Sequence, residues 1–107
     1  MASVEQVGKV GELAPGDTRR VEVGGKGVLL VNVNGRLLTV AAECTHAGGP
    51  LEEGFLEGNT VECPWHGGQF DLDTGQPVSG PPMIALARYK VWVRGEDVLV
   101  DVGQAPD

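Results

Sequence analysis

The chain has 107 residues, 41% of them apolar, and a net charge of −7 from 15 acidic and 8 basic side chains. That length fits one domain with a small but real core, and the acidity argues against nucleic acid as a partner, because phosphate binding needs a basic face. No apolar run approaches the roughly 20 residues of a membrane span, and the first residues lack the basic-then-apolar pattern of a signal peptide, so a soluble, cytoplasmic protein with no membrane partner is expected.

Apolar and polar residues alternate along most of the chain, the period of a half-buried strand. Strands are predicted at 4–10, 18–23, 27–33, 36–42, 60–63, 69–72, 86–93 and 98–102. Turns separate them at Ala14-Pro15-Gly16-Asp17, Gly24-Gly25, Asp73-Thr74-Gly75 and Arg94-Gly95-Glu96-Asp97. Asn34-Gly35 lies between two apolar alternating runs and is the strongest hairpin signal, since both residues accept positive φ. Gly24-Gly25-Lys26-Gly27 leads into a strand and not a helix, so it is a turn and not a phosphate loop. Residues 43–59 read as irregular, with one helical turn near Pro50-Leu51-Glu52-Glu53. Ser79-Gly80-Pro81-Pro82 cannot be regular structure, because two prolines remove two backbone donors. The tail after Val102 is expected to fray. The fold class is therefore all-β: one domain over 1–107, a sandwich or small barrel of short strands.

The charge is unevenly spread. Residues 37–87 contain no Lys or Arg but carry Glu43, Glu52, Glu53, Glu57, Glu62, Asp71 and Asp73. The rest of the chain has eight acids and eight bases. Such a segment is either a solvated face or a surface that steers a basic partner.

That acidic segment holds every cysteine and histidine of the chain, as Cys44-x-His46 and Cys63-x-x-His66. A disulfide would leave both histidines unexplained and suits an oxidising compartment. An ordinary buried Cys beside an incidental His would have to occur twice in the same order. A structural zinc would suit the ligand types, but its usual sites pair Cys with Cys and His with His. A [2Fe–2S] cluster with two His replacing two Cys on one iron explains the order directly. Each loop would send a soft thiolate inward and a neutral imidazole outward. Gly48, Gly49, Gly67 and Gly68 would let backbone approach the bridging sulfides, and Pro64 would stiffen the second loop.

The segments CTHAGGPLEEG and CPWHGGQFDLDTG resemble the two cluster-binding loops of Rieske iron–sulfur proteins, and SGPPM resembles the proline segment that covers the cluster there. The resemblance implies that Cys44 and Cys63 hold an inner iron and that His46 and His66 hold an outer one through Nδ1. It implies the Rieske fold: a β base (1–42 and 83–107) with an inserted cluster-binding subdomain, about 43–82. Rieske proteins of respiratory and photosynthetic complexes have a further cysteine in each loop, forming a disulfide, and a Ser and a Tyr whose hydroxyls raise the potential. Gly49, Trp65, Gly68 and Phe70 stand at those places, so a potential near the low end of about −150 to +300 mV is expected.

Without that disulfide, the chain resembles the soluble Rieske ferredoxins of bacteria. The implied function is one-electron transfer from a flavin-dependent reductase to a terminal oxygenase of the aromatic-ring dioxygenase type. Partners would be bound transiently and electrostatically, by a monomer that is not itself an enzyme. Trp65 is a candidate contact residue, against simple packing of its indole. The alternative is a Rieske-like small subunit or module of a larger reductase, such as assimilatory nitrite reductase.

Overall fold

Alternating side chains point to opposite faces of a strand, so a strand apolar at every position must be covered on both sides. In the computed structural model, which describes residues 3–45, 48–65, 67–80 and 84–106, the run KGVLLVNV comes close to this: Val28 to Val33 are all buried, and the one polar side chain among them, Asn32, donates to the Leu13 carbonyl at 2.8 Å. The described residues form ten strands: β1 (Val4–Lys9), β2 (Thr18–Val23), β3 (Lys26–Val33), β4 (Arg36–Ala41), β5 (Phe55–Glu57), β6 (Thr60–Glu62), β7 (Gln69–Asp71), β8 (Pro77–Ser79), β9 (Arg88–Arg94) and β10 (Asp97–Asp101). The all-β expectation is borne out.

Six strands pair antiparallel in the order β1-β10-β9-β4-β3-β2. The sheet curls until its two edges meet: Val7 of β1 packs in one cluster with Val21 and Val23 of β2, and the Gly24 amide donates to the Glu5 carboxylate at 2.9 Å. The other four strands form a small sheet in the order β5-β6-β7-β8, inserted between β4 and β9. Central β3 explains how the two sheets are joined. Its Val28 and Leu30 face the barrel interior, with Val98 and Val100 of β10. Its Leu29, Val31 and Val33 face the other way, into a core shared with Leu51, Val61, Phe70 and Leu72 of the inserted region. Cys44 and Cys63 lie in that shared core.

The hairpin at Asn34-Gly35 forms as expected, with φ of 51° and 92°, and β3 pairs β4 from Val33↔Arg36 onward. Several details differ from the sequence reading. β1 ends at Lys9, and Val10 opens a 3-10 turn, Val10–Glu12, held by the Glu12 carboxylate accepting from the Lys9 amide at 2.8 Å. The turn near Pro50 is also 3-10, over Leu51–Glu53, with Pro50 preceding it. Residues 55–57 are not irregular but form β5. Ser79 belongs to β8, an edge strand that begins at Pro77, beside a register irregularity, both of them settings where a strand tolerates proline. Pro81 and Pro82 lie outside the described residues. The tail does not fray at its start: the Gln104 carbonyl accepts from the Lys90 amide at 3.0 Å, and its side chain bonds Asp101 at 2.9 Å.

Candidate metal centre

Cys44 follows β4 in the first loop. The loop neck is fixed by a bridge between Glu43 and Pro50 and by the Leu51 amide donating to the Ala42 carbonyl at 2.9 Å. Cys63 follows β6 in the second loop, whose neck is the paired Glu62 and Gln69, joined also through their side chains at 2.8 Å. Inside these necks the two loops are built alike. The Cys44 amide donates to the Gly49 carbonyl and the Gly48 amide to the Cys44 carbonyl, both at 2.8 Å. The Cys63 amide donates to the Gly68 carbonyl at 2.8 Å, and the Gly67 amide to the Cys63 carbonyl at 3.1 Å. Gly48 and Gly67 have φ of 71° and 70°, the left-handed region that favours glycine. The loops therefore match in the register Cys-x-x-x-Gly-Gly, although the histidine stands second after the cysteine in one and third in the other. Both loops spell this pattern in sequence; aligning them on the histidines hides it.

The loops also touch each other. A Cβ on Gly49 would stand 2.6 Å from Cys63 Sγ and 3.2 Å from the Trp65 ring. Trp65 is 56% exposed, so one side of its indole packs on the first loop and much of the rest meets solvent. The flanks of the proline segment reach both loops. Gly80 lies so close to Gly68 that a Cβ there would come within 2.7 Å of its Cα, while the Thr45 hydroxyl donates to the Ile84 carbonyl at 2.7 Å. Sequence reasoning missed Thr45, which is flanked by two expected ligands. Pro81, Pro82 and Met83 lie outside the described residues, as do His46 and His66.

Both thiols are free and buried, at 3% and 1% exposure. Two soft thiols at the ends of matched glycine loops, with glycine where any Cβ would close the space beside one sulfur, suit an iron–sulfur group. Neither Gly68, whose carbonyl accepts from the Cys63 amide, nor Phe70, fully buried in the core that holds both cysteines, carries a hydroxyl.

A family profile for the Rieske [2Fe–2S] domain matches residues 3–90. The chain belongs to the Rieske family. The Rieske domain described here is 39% identical over 92 residues, 86% of each chain, to the ferredoxin component of biphenyl 2,3-dioxygenase from Rhodococcus jostii (strain RHA1). It is 36% identical over 91 residues, 85% of this chain and 88% of the other, to the ferredoxin component of the naphthalene 1,2-dioxygenase system from Pseudomonas aeruginosa. Among solved structures it is similar, with a TM-score of 0.89 and 33% identity over 94% of each chain, to a chain in a complex of reduced oxygenase and oxidized ferredoxin of carbazole 1,9a-dioxygenase. Its cofactor is one Rieske-type [2Fe–2S] cluster, which supplies a one-electron redox couple when bound.

Charge pairs join the inserted Rieske loops to the base, which supplies the cations the insertion lacks. Arg36 holds Asp73 at 2.8 and 3.3 Å, Asn59 donates to Asp73 Oδ2 at 2.7 Å, and Arg88 donates to the Asp73 carbonyl at 2.7 Å. The hydrogen bond from Arg36, with that from Asn59, keeps the Asp73 carboxyl below the usual carboxylate range. The unfolded chain then binds this proton more readily than the folded one. The contribution is fully present above the unfolded value of about 4 and is lost as pH falls through the lowered folded value. Asp73→Asn is expected to remove that part of the acid lability, so the melting temperatures of variant and wild type should converge below about pH 4. A constant gap across the acid range would refute this role of Asp73. No helix among the described residues is long and apolar enough to cross a membrane.

Proposed function

We infer that this chain is a one-electron carrier of a multicomponent ring-hydroxylating oxygenase, taking electrons from a flavin-dependent reductase and delivering them to a terminal oxygenase. Cys44 and Cys63 hold the inner iron of the cluster, and His46 and His66 hold the outer one. The observation that carries the reading is the matched pair of loops, with both thiols buried in one core and Gly49 against Cys63 Sγ. Relatives aligned over nearly their whole length are ferredoxin components of dioxygenase systems. They are electron-transfer components rather than catalytic subunits, which supports a carrier over a module of a larger reductase.

The chain's own residues prepare the site for transfer. Burial of the thiols keeps water from one side of the cofactor, and the loop amides are fixed by the paired hydrogen bonds, so little rearrangement accompanies a change of charge. Exposed Trp65, and exposed Ile84 at the end of the proline segment, give partners apolar contact at the loop end. Glu53 and Glu57 are exposed on the same insertion, and their charge favours a basic partner in a small, transient encounter. The cellular place consistent with such partners is the cytoplasm.

The test is the visible and EPR spectrum of the dithionite-reduced protein, together with a redox titration. A Rieske spectrum and a potential near the low end of about −150 to +300 mV are expected, because Gly68 and Phe70 donate no hydroxyl. A colourless protein sinks the ligand assignment, and a potential well above zero sinks the low-potential reading. Turnover of an aromatic substrate in a reconstituted system of reductase, this chain and oxygenase, absent when the chain is omitted, tests the carrier role.

A further inference from the structure

The first loop leaves the base at Ala42 and returns at Leu51. Both stems carry carboxylates: Glu43 just before Cys44, and Glu52, followed by exposed Glu53, just after Leu51. Neither stem has a cation of its own, since residues 37–87 contain no Lys or Arg. The cation comes from β2. Arg20 places Nη2 3.9 Å from Glu43 Oε1 and Nη1 3.7 Å from Glu52 Oε1, with Nε 3.2 Å from Glu22 Oε2 on its own strand. Glu52 Oε1 is shut off from solvent and has no hydrogen-bond partner among the described residues. Gly27, the cross-strand partner of Glu22, makes room for the guanidinium: a Cβ there would overlap Nη2 and come within 2.9 Å of Cζ. The Gly27 carbonyl also accepts from the Ala42 amide at 3.1 Å, at the foot of the first stem.

We propose that Arg20 is a positioning residue for the cluster: it holds the two stems of the first loop together and sets the charge beside Cys44. The proposal rests on the reading of Cys44 as a ligand. At 3.7–3.9 Å the guanidinium acts on the two stems as a charge and not through short hydrogen bonds. Its effect is largest on Glu52, whose inner oxygen has no water to solvate it. Without the guanidinium, two carboxylates share one narrow neck, one of them poorly solvated. Their repulsion spreads the stems that fix Cys44, and their uncompensated charge disfavours an added electron nearby. Lysine keeps the charge but is a single point on a flexible stem, without the planar fork that addresses several carboxylates at once.

The experiment compares loaded wild type with R20Q, R20K and G27A by redox titration and by the rate at which a chelator bleaches the visible band. R20Q is expected to shift to a lower potential and to lose its cluster about tenfold faster or more, the usual scale for a residue supporting a metal ligand. R20K is expected to hold a potential near wild type while losing its cluster faster. G27A leaves every charge in place but displaces the guanidinium, and is expected to approach R20Q in its rate of loss. Loaded R20Q with wild-type potential and lifetime overturns the proposal, even if its melting temperature falls. Should R20Q fail to load, G27A decides: wild-type behaviour there overturns the proposal, and accelerated loss supports it. A wild type that never takes up a cluster overturns the ligand reading and this proposal with it; a loaded wild type matched by its variants overturns this proposal alone.

Discussion

Cys63→Ser is expected to abolish the visible spectrum and all electron transfer while leaving a folded β base. Cys63 is 1% exposed and lies in the core shared by both sheets. Iron in a sulfide-bridged cluster selects soft thiolate, and a serine oxygen in its place is a hard and much less acidic donor. The substitution removes almost no volume, so packing around Phe70 and Val61 should survive. The buried hydroxyl costs about 1–3 kcal/mol on the scale of protein mutational data, well under the stability of about 5–15 kcal/mol usual for a domain. Far-UV circular dichroism should therefore remain that of a β protein, while the charge-transfer bands disappear. A purified variant that keeps the wild-type visible spectrum would show that Cys63 is not a ligand.

Gly49→Ala should be nearly as damaging to the cluster, for a purely steric reason. Its φ is not in the left-handed region, so alanine strains no backbone there. Its methyl, however, would stand 2.6 Å from Cys63 Sγ and 3.2–3.3 Å from the Trp65 ring. The first loop must move away from the second, at about 1–3 kcal/mol for an overpacked site and with roughly a tenfold or greater loss of cluster occupancy. Gly48→Ala is the control. Among the described residues its methyl meets nothing within 4 Å, but its φ is 71°, so it should cost about 1 kcal/mol in stability and leave the contact between Gly49 and Cys63, and with it the cluster, in place. Equal iron content in the two variants would remove the steric argument.

The two cysteine loops were legible in sequence because their ligand pattern is local: a few residues of spacing carry the chemistry. The strand periods were legible for the same reason, and Asn34-Gly35 fixed one register outright. β5 was not, because only Leu56 of its three residues faces inward, while Phe55 and Glu57 are exposed; a pattern of period two needs more than one repeat to be seen. β8 was hidden by Pro77, which an edge strand tolerates at its start. The anchored tail was missed because its partner, Lys90, lies on a strand separated from it in sequence. Arg20 was invisible as a site residue for a related reason. Twenty-four positions separate it from Cys44, and the pairing of β2 with β3 and of β3 with β4 brings it to the foot of the first loop.

The junction between β4 and β9 has a consequence for how this domain can vary. The two strands share only the pairs Thr39↔Tyr89 and Val40↔Arg88, with the Ala41 amide donating to the Ala87 carbonyl at 2.9 Å just beyond. The insertion thus departs and rejoins at a single doorway. Lengthening a loop whose ends are already held together costs little, about 0.6 kcal/mol for each doubling. The head's size is consequently free to drift, and new turns added far from the doorway would leave the barrel's registers untouched. What cannot drift is the floor of the head. Leu51, Val61, Phe70 and Leu72 roof one face of β3, and a head that lost them would leave Leu29, Val31 and Val33 facing water. The insertion is detachable in topology and indispensable in substance.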